Sequence, residues 1–219
     1  FEIGRDDQDA AGVPDVDISI TTRELAKMIN AAGLDFTALP DEEFDAPLGE
    51  DTGAAVIFGA TGGVMEAALR TANDLLTGKS NDKVDFEEVR GMDGLKEATY
   101  NIAGVEVKVA IASGLTSANY VMSKIKDGTA PWTFVEIMCC PGGCVNGGGQ
   151  PIQSDSVLNY TDIKKLRSKA LYDADKKMEL RKSHESPVVK MLYKEYFDEP
   201  GKHRAHRLLH TSYVKRDKY

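Results

Sequence analysis

The 219 residues are 42% hydrophobic and carry 27 Lys/Arg against 35 Asp/Glu, a formal charge of −8. That is enough chain to bury a core as one domain or one and a half, and the acidic balance argues against a nucleic-acid partner. No apolar run approaches the roughly 20 residues of a membrane helix, and no basic-then-apolar leader opens the chain. Charge is divided unevenly: residues 161–219 hold 16 Lys/Arg against 9 Asp/Glu, leaving 11 against 26 for residues 1–160. The basic end is therefore expected to lie over an acidic body.

The chain opens on Phe1 rather than Met, so a processed, cleaved or partial product is expected. Residues 6–20 are polar and end in a short predicted strand, Asp17 to Ile20. Thr21 and Glu24 form a capping-box pattern for a helix with Leu25, Met28, Ile29 and Ala32 on one face, and Gly33 is placed to close it. The acidic segment 35–52 reads as a long loop. The apolar run from Ala54 to Phe58 then enters a glycine-rich turn, Gly59-Ala-Thr-Gly-Gly63. It leaves as a helix with Met65, Ala68, Leu69, Ala72 and Leu76 at helical spacing, and Thr61 is the expected cap. Such a turn is a generic anion site, but its glycines do not fit the dinucleotide fingerprint. Gly78-Lys79-Ser80 is no P-loop, since Asn73 stands where that motif needs glycine.

Residues 84–138 read as a compact α/β unit. It has a weak strand at Asp85 to Val89, then a hairpin of Thr99–Ile102 and Val105–Ile111 turning at Ala103-Gly104. A helix from Thr116 through Ile125 follows, with Val121 and Met122 facing inward, and then a strand over 133–138. Strand, helix, strand predicts a parallel crossover. Beyond Pro151 the chain turns helical and basic. Thr161 is the expected cap of a helix to about Leu180, Ser186-Pro187 opens a second through Phe197, and a short last helix spans about 203–210. His203, His206 and His210 share its face and read as solvated or hydrogen-bonded rather than as metal ligands. The fold expected is α/β: a mostly parallel sheet flanked by helices over residues 1–155, then a helical tail over 156–219.

All three cysteines, at 139, 140 and 144, and five of the 20 glycines lie in Glu136-Ile-Met-Cys-Cys-Pro-Gly-Gly-Cys-Val-Asn-Gly-Gly-Gly-Gln-Pro151. Three clustered cysteines make no disulfide framework and fit a reducing, cytoplasmic compartment. They fall just past the end of a predicted strand, where α/β sheets hold ligands. A Cys-x3-Cys pair among glycines suggests thiolates gripping iron–sulfur or zinc. Small cysteines packed into a crowded loop, or a redox-active thiol, are the alternatives. An ordinary cluster takes about four cysteine ligands, so two from this loop make half a site.

This stretch resembles the third signature motif of the iron-only hydrogenases, Glu-x-Met-x-Cys-Pro-Gly-Gly-Cys-x-x-Gly-Gly-Gly-Gln-Pro. Glu136, Met138, Cys140, Pro141, Gly142, Gly143, Cys144, Gly147, Gly148, Gly149, Gln150 and Pro151 all match. The resemblance implies that Cys140 ligates a four-iron cubane. It implies that Cys144 bridges the cubane to a two-iron unit carrying CO, cyanide and a dithiolate, the whole forming the H-cluster. Cys139 falls where the family requires no cysteine. The stretch Phe58-Gly-Ala-Thr-Gly-Gly-Val-Met-Glu-Ala-Ala68 is similar to one that the family sets against the two-iron unit. It implies that Phe58, Gly59, Ala60 and Thr61, with Met138, bind the cofactor. Phe1-Glu2-Ile3-Gly4-Arg5 resembles the end of the second motif, Met-Pro-Cys-x-x-Lys-x-x-Glu, with Glu2 as its glutamate.

The tail resembles the family's small subunit through Arg181-Lys-Ser-His-Glu185, Leu192-Tyr193 and Leu209-His210-Thr211-x-Tyr213, and a structural belt is its implied role. Absent from this chain are the first motif, Thr-Ser-Cys-Cys-Pro-x-Trp, and the Met-Pro-Cys and lysine of the second. The resemblance therefore implies part of a hydrogenase catalysing 2 H⁺ + 2 e⁻ ⇌ H₂. Its remaining N-terminal half lies outside this chain, and a ferredoxin-like carrier is the implied electron partner. A slow sensory relative, or a metal-free structural or assembly fragment, are the other readings.

Overall fold

A computed structural model describes residues 2–5, 9, 12–43, 45, 48–49, 51–91, 94–211 and 213. Its sheet begins with the hairpin that the alternation at Val105, Val107 and Val109 predicts. β1 (Gly94–Ile102) and β2 (Val105–Ser113) pair antiparallel from Ile102↔Val105 to Gly94↔Ser113. Ala103 (φ 51°) and Gly104 (φ 83°) both take positive φ, as a two-residue turn matching strand twist requires. β3 (Phe134–Met138) pairs parallel with β2, from Val109↔Phe134 to Ser113↔Met138. The sheet expected to be mostly parallel thus pairs once each way among these three strands.

One face of the hairpin packs on the long glycine-led helix. Met65 and Leu69 from that helix meet Tyr100, Ile102, Val109 and Ile111, with Phe86 and Val89 completing the cluster. On the other face, Ala110 and Ala112 are fully buried, small enough to let a crossover helix lie close. That crossover is α4, Leu115–Lys126, which touches β2 and buries Val121 completely. Met122, expected inward, is 54% exposed. It is one residue on from Val121, and helix geometry turns it about 100° away.

The capping box forms as expected. Glu24 N–H donates to Thr21 Oγ1 (3.2 Å) and Thr21 N–H to the Glu24 carboxylate (2.7 Å), opening α1, Thr22–Ala31. That helix buries none of its residues. The run before the glycine turn is helical: α2 (Gly53–Val56) passes into a 3-10 turn at Ile57–Gly59, and α3 spans Gly63–Thr77. Two expected strands are absent. Glu87–Val89 is a 3-10 turn, because its apolar members Phe86 and Val89 are three residues apart and reach the core from one side. Asp17 to Ile20 forms no strand, and Ile18 is left 75% exposed.

In the tail, α5 covers Asp155–Leu158 and α6 Ile163–Asp175. The α6 cap is Asp162, whose carboxylate accepts from Lys165 N–H at 3.0 Å, not Thr161. The helix stops at Asp175, short of Leu180. α7 (Pro187–Leu192) opens on Ser186 and continues as a π-helix over Tyr193–Phe197; α8 spans His203–Leu209. The ring of His206 in α8 lies 4.3 Å from that of His210, the extended residue just after the helix.

The basic tail does lie on the acidic body. Arg70 of α3 forks onto Asp175 through two 2.9 Å hydrogen bonds and holds Glu66 at 3.0 Å. Its remaining donors reach the Val84 and Arg181 carbonyls. Arg181 binds Asp175 (2.6 Å) and Asp85, while Arg90 forks onto Glu66 and reaches Asp85. Beside this knot Lys182 donates to Asp74 at 2.7 Å. The side chains of Arg70, Glu66 and Asp175 have no exposed surface. Such a knot holds only while its partners are complete, since one lost partner leaves a buried charge uncompensated.

Candidate metal centre

β3 delivers the chain to the cysteine loop. After Met138 the backbone turns at Cys139–Gly142 and re-forms as a 3-10 turn over Cys144–Asn146. Three turn bonds shape the loop, from Gly143 N–H to the Cys140 carbonyl (2.9 Å), from Asn146 N–H to the Gly143 carbonyl (3.0 Å) and from Gly147 N–H to the Cys144 carbonyl (3.0 Å). Asn146 closes it by donating to the Pro141 carbonyl at 3.1 Å. The three thiols are free: Cys140 is half-buried, Cys139 and Cys144 exposed.

Glycine is obligatory where this loop meets the turn before α3. Gly143 has φ 95°, and a methyl group on it would stand 2.6 Å from the Gly59 carbonyl oxygen and 2.7 Å from Thr61 N. Only a bare backbone fits so close an approach at that φ. Thr61 N–H donates across the seam to the Gly142 carbonyl at 3.2 Å. The structure thus brings Gly59, Ala60 and Thr61 against the segment that carries Cys140 and Cys144. Phe58 stands at the same seam, 42% exposed, while Ala60 and Thr61 are buried. Met138 sits at the end of β3, where its carbonyl accepts from Gly114 N–H at 2.7 Å and ties the two strand ends together. Glu2 lies in a single 3-10 turn, Glu2–Gly4, and its side chain falls outside the described residues.

The cap of α3 is a residue that local pattern missed. Thr61 makes no cap: the N-cap position is Gly62 (φ 88°), and the Thr61 hydroxyl is buried without a partner among the described residues. Glu136, 74 residues away on β3, does the work instead. Its carboxylate accepts from Gly62 N–H and from Met65 N–H, both at 2.7 Å. A carboxylate is favoured at a helix N-terminus by the exposed N–H groups and the dipole. Burial pushes the Glu136 acid up, and the two N–H donors pull it back only in part. One signal was available, a lone glutamate inside the apolar run Phe134-Val-Glu-Ile-Met138.

Two further residues brace the loop. Arg167 of α6 donates to the Val145 carbonyl (3.1 Å) and the Pro151 carbonyl (2.8 Å), so the tail helix holds the loop's exit. Arg23 N–H of α1 donates to the Gly149 carbonyl at 3.2 Å. The loop is therefore held by the glycine turn, α1 and α6 while its thiols stay unbridged. Thiolates are the ligands of iron–sulfur clusters, so the donor chemistry of Cys140 and Cys144 fits such a group in part, with two ligands where a cubane takes four. Another acidic cluster, Asp74 with His184 and Glu185, has ligand atoms within 4.8 Å of one another. There the Lys182 ammonium already sits 2.7 Å from Asp74 and 3.4 Å from Glu185.

Residues 1–148 match the family model for the iron only hydrogenase large subunit, C-terminal domain, and residues 161–216 match that for the iron hydrogenase small subunit. The chain belongs to the iron-only hydrogenase family. The chain is 48% identical over 218 residues to the NADP-reducing hydrogenase subunit HndD of Solidesulfovibrio fructosivorans, covering 100% of itself and 36% of that relative. Its fold follows a solved structure of the [FeFe]-hydrogenase HydA1 from Chlamydomonas reinhardtii, with TM-score 0.74 and 39% identity, covering 97% of this chain and 60% of that one. A more distant relative is the mouse cytosolic iron-sulfur assembly component 3, 30% identical over 206 residues, covering 91% of this chain and 41% of that protein. The chain thus spans between 36% and 60% of these relatives' length. None of its described helices is long and apolar enough to cross a membrane.

Proposed function

We propose that this chain supplies half of the ligands and one wall of an H-cluster site, in an enzyme that interconverts protons, electrons and H₂. The observation that carries the reading is the seam at Gly143, where the cysteine loop and the turn Phe58–Thr61 meet backbone to backbone. Cys140 would hold the four-iron cubane, Cys144 would join it to the two-iron unit, and Phe58, Gly59, Ala60, Thr61 and Met138 would line that unit, with Glu2 beside it. When bound, the group supplies the redox and hydride chemistry.

The chain's own part is positional. Gly143 lets the wall approach the loop, Glu136 fixes the wall's helix to the strand that carries the cysteines, and Arg167 holds the loop's exit from the tail. Ala60 and Thr61 are buried and Phe58 is 42% exposed, so Phe58 is the wall side chain open to a ligand. Residues 1–155 would form the α/β half of the cluster domain and 156–219 a helical belt across it. The other cubane ligands come from residues outside this chain, the electron partner is a ferredoxin-like carrier, and the compartment is cytoplasmic. Neither a membrane nor nucleic acid takes part.

The likeness to an iron–sulfur assembly component supports a second reading, in which the fold serves cluster assembly without turnover. Hydrogen evolution from reduced viologen separates the two. The anaerobically matured assembly that contains this chain is expected to turn over, and Cys144→Ala to abolish turnover while the fold persists. An iron-loaded assembly that evolves no hydrogen would favour the assembly role, and undiminished activity in Cys144→Ala would remove the proposed site.

A further inference from the structure

The helix α6 belongs to the tail, yet one side of it lies along both edges of the seam. The stem of Lys164 passes over Gly142, where a methyl group would stand 3.2 Å from Lys164 Cδ and 3.6 Å from its Cβ. One turn on, Arg167 donates through Nη1 to the Val145 carbonyl at 3.1 Å and through Nη2 to the Pro151 carbonyl at 2.8 Å. One turn further, Leu171 covers Gly59, where a methyl group would stand 2.8 Å from Leu171 Cδ1. Tyr172 beside it is buried with Ile57 and Ala60. Residues 164, 167 and 171 are spaced by three and four, so they stack on one side of the helix. A single ridge thus touches the loop between its two motif cysteines, the loop just past Cys144, and the wall turn.

Arg167 does more than pack. Val145 directly follows Cys144 and Pro151 ends the glycine run, so the two carbonyls it takes bracket the loop's exit. Between them Gln150 N–H reaches the Gly147 carbonyl at 3.3 Å, and Arg23 N–H reaches the Gly149 carbonyl at 3.2 Å. Two guanidinium N–H groups in one plane fix the distance between their acceptors, which the point charge of a lysine does not. The guanidinium is also charged at every working pH. Its forked nitrogens go to neutral carbonyls, so a full positive charge stands beside the residue after Cys144. The potential of an iron–sulfur cluster depends on the charge around it, and a nearby positive charge favours the reduced form.

We infer that Arg167 is a positioning residue of the metal centre. Its fork holds the exit of the cysteine loop in register with the wall turn that Leu171 supports, and its charge favours the reduced cluster. The tail is then part of the site as well as a belt around it. This role rests on the cluster reading, since Arg167 acts toward the group that Cys140 and Cys144 would hold.

Three variants of the matured assembly that contains this chain test it. Arg167→Met removes fork and charge, Arg167→Lys keeps the charge, and Lys169→Gln removes a charge from an exposed position of the same helix. Loss of iron to a chelator is expected to be about tenfold faster in Arg167→Met, the size of one lost hydrogen bond from a charged donor. Arg167→Lys should fall between that variant and the parent. In a potentiometric titration followed by paramagnetic resonance, the cubane is expected to move to lower potential in Arg167→Met, while Arg167→Lys and Lys169→Gln stay with the parent. Iron loss equal in Arg167→Met and the parent would overturn the role. So would a potential that moves as far in Lys169→Gln, which is general charge, or as far in Arg167→Lys, which is distortion alone. A parent that takes up no iron would contradict the cluster reading instead. Hydrogen–deuterium exchange over residues 139–151 then decides on the clamp: faster exchange in Arg167→Met supports it, and unchanged exchange removes it.

Discussion

Two contacts of α3 are built on opposite plans. Along its flank, from Glu66 in the first turn to Arg70, the helix meets the tail through charge, and every member of the Glu66–Arg70–Asp175 knot is sealed from solvent and paired. At its N-terminus it meets the cysteine loop through bare glycine backbone and a single carboxylate. Phe58, next to that contact, is 42% exposed, and β3, an edge strand of the described sheet, leaves Phe134 44% and Ile137 45% exposed. The comparison sets a joint completed within the chain beside a loop whose thiols are unbridged.

The joint should be the costlier place to strike. Asp175→Ala strands Arg70 and Arg181 without their carboxylate. It is expected to lose about 3–5 kcal/mol of unfolding free energy, the range for a broken buried pair, with the loop's thiols still reactive to alkylation. A loss below about 1 kcal/mol in denaturant titration would mean that tail and body are coupled by something else. Gly143→Ala strikes the contact with the cysteine loop. Forcing a side chain to φ 95° against the Gly59 carbonyl costs on the order of 1–3 kcal/mol from backbone strain. Its iron content should fall far more than its stability, whereas Asp175→Ala should show the reverse order. Equal iron retention in Gly143→Ala and the parent would break the comparison.

The smallest effect separates the two contacts by pH. At the joint, burial pushes the Asp175 acid up, but hydrogen bonds from Arg70 and Arg181 outweigh it and hold the carboxyl below the ordinary aspartate range. Its contribution is present above the unfolded value and lost as pH falls through the folded one. Glu136 runs the other way, because burial raises it above the ordinary glutamate range. Its contribution is greatest below the unfolded value and is lost as pH rises through the folded one. Stability measured against pH should therefore lose its high-pH decline in Glu136→Gln and keep its acid loss. A Glu136→Gln profile that parallels the parent at both ends would show that this carboxylate is not the titrating group.

Much of this was legible in the residues. The alternation from Val105 gave the hairpin, Thr21 and Glu24 gave the α1 cap, and twelve matched positions around Cys140 and Cys144 pointed to the family. What stayed hidden depends on partners far along the chain. Glu136 reads as an oddity inside a strand until α3 lies against it, and Thr61 looks like a cap until Gly62 takes that position. Asp85 to Val89 reads as a weak strand until the surface that Phe86 and Val89 face is known. Met122 was placed inward by its hydrophobicity, although only Val121 points at the sheet. The charge imbalance foretold that tail and body attract, but not that Asp175 and Arg70 would be the buried pair.

The central claim is that Cys140 and Cys144 complete an H-cluster with residues from outside this chain. An anaerobic infrared spectrum of the matured assembly tests it most directly. Terminal CO and cyanide stretching bands in the parent, lost in Cys144→Ala while the polypeptide remains folded, are the expected result. An assembly loaded with iron that shows no such bands would contradict the claim.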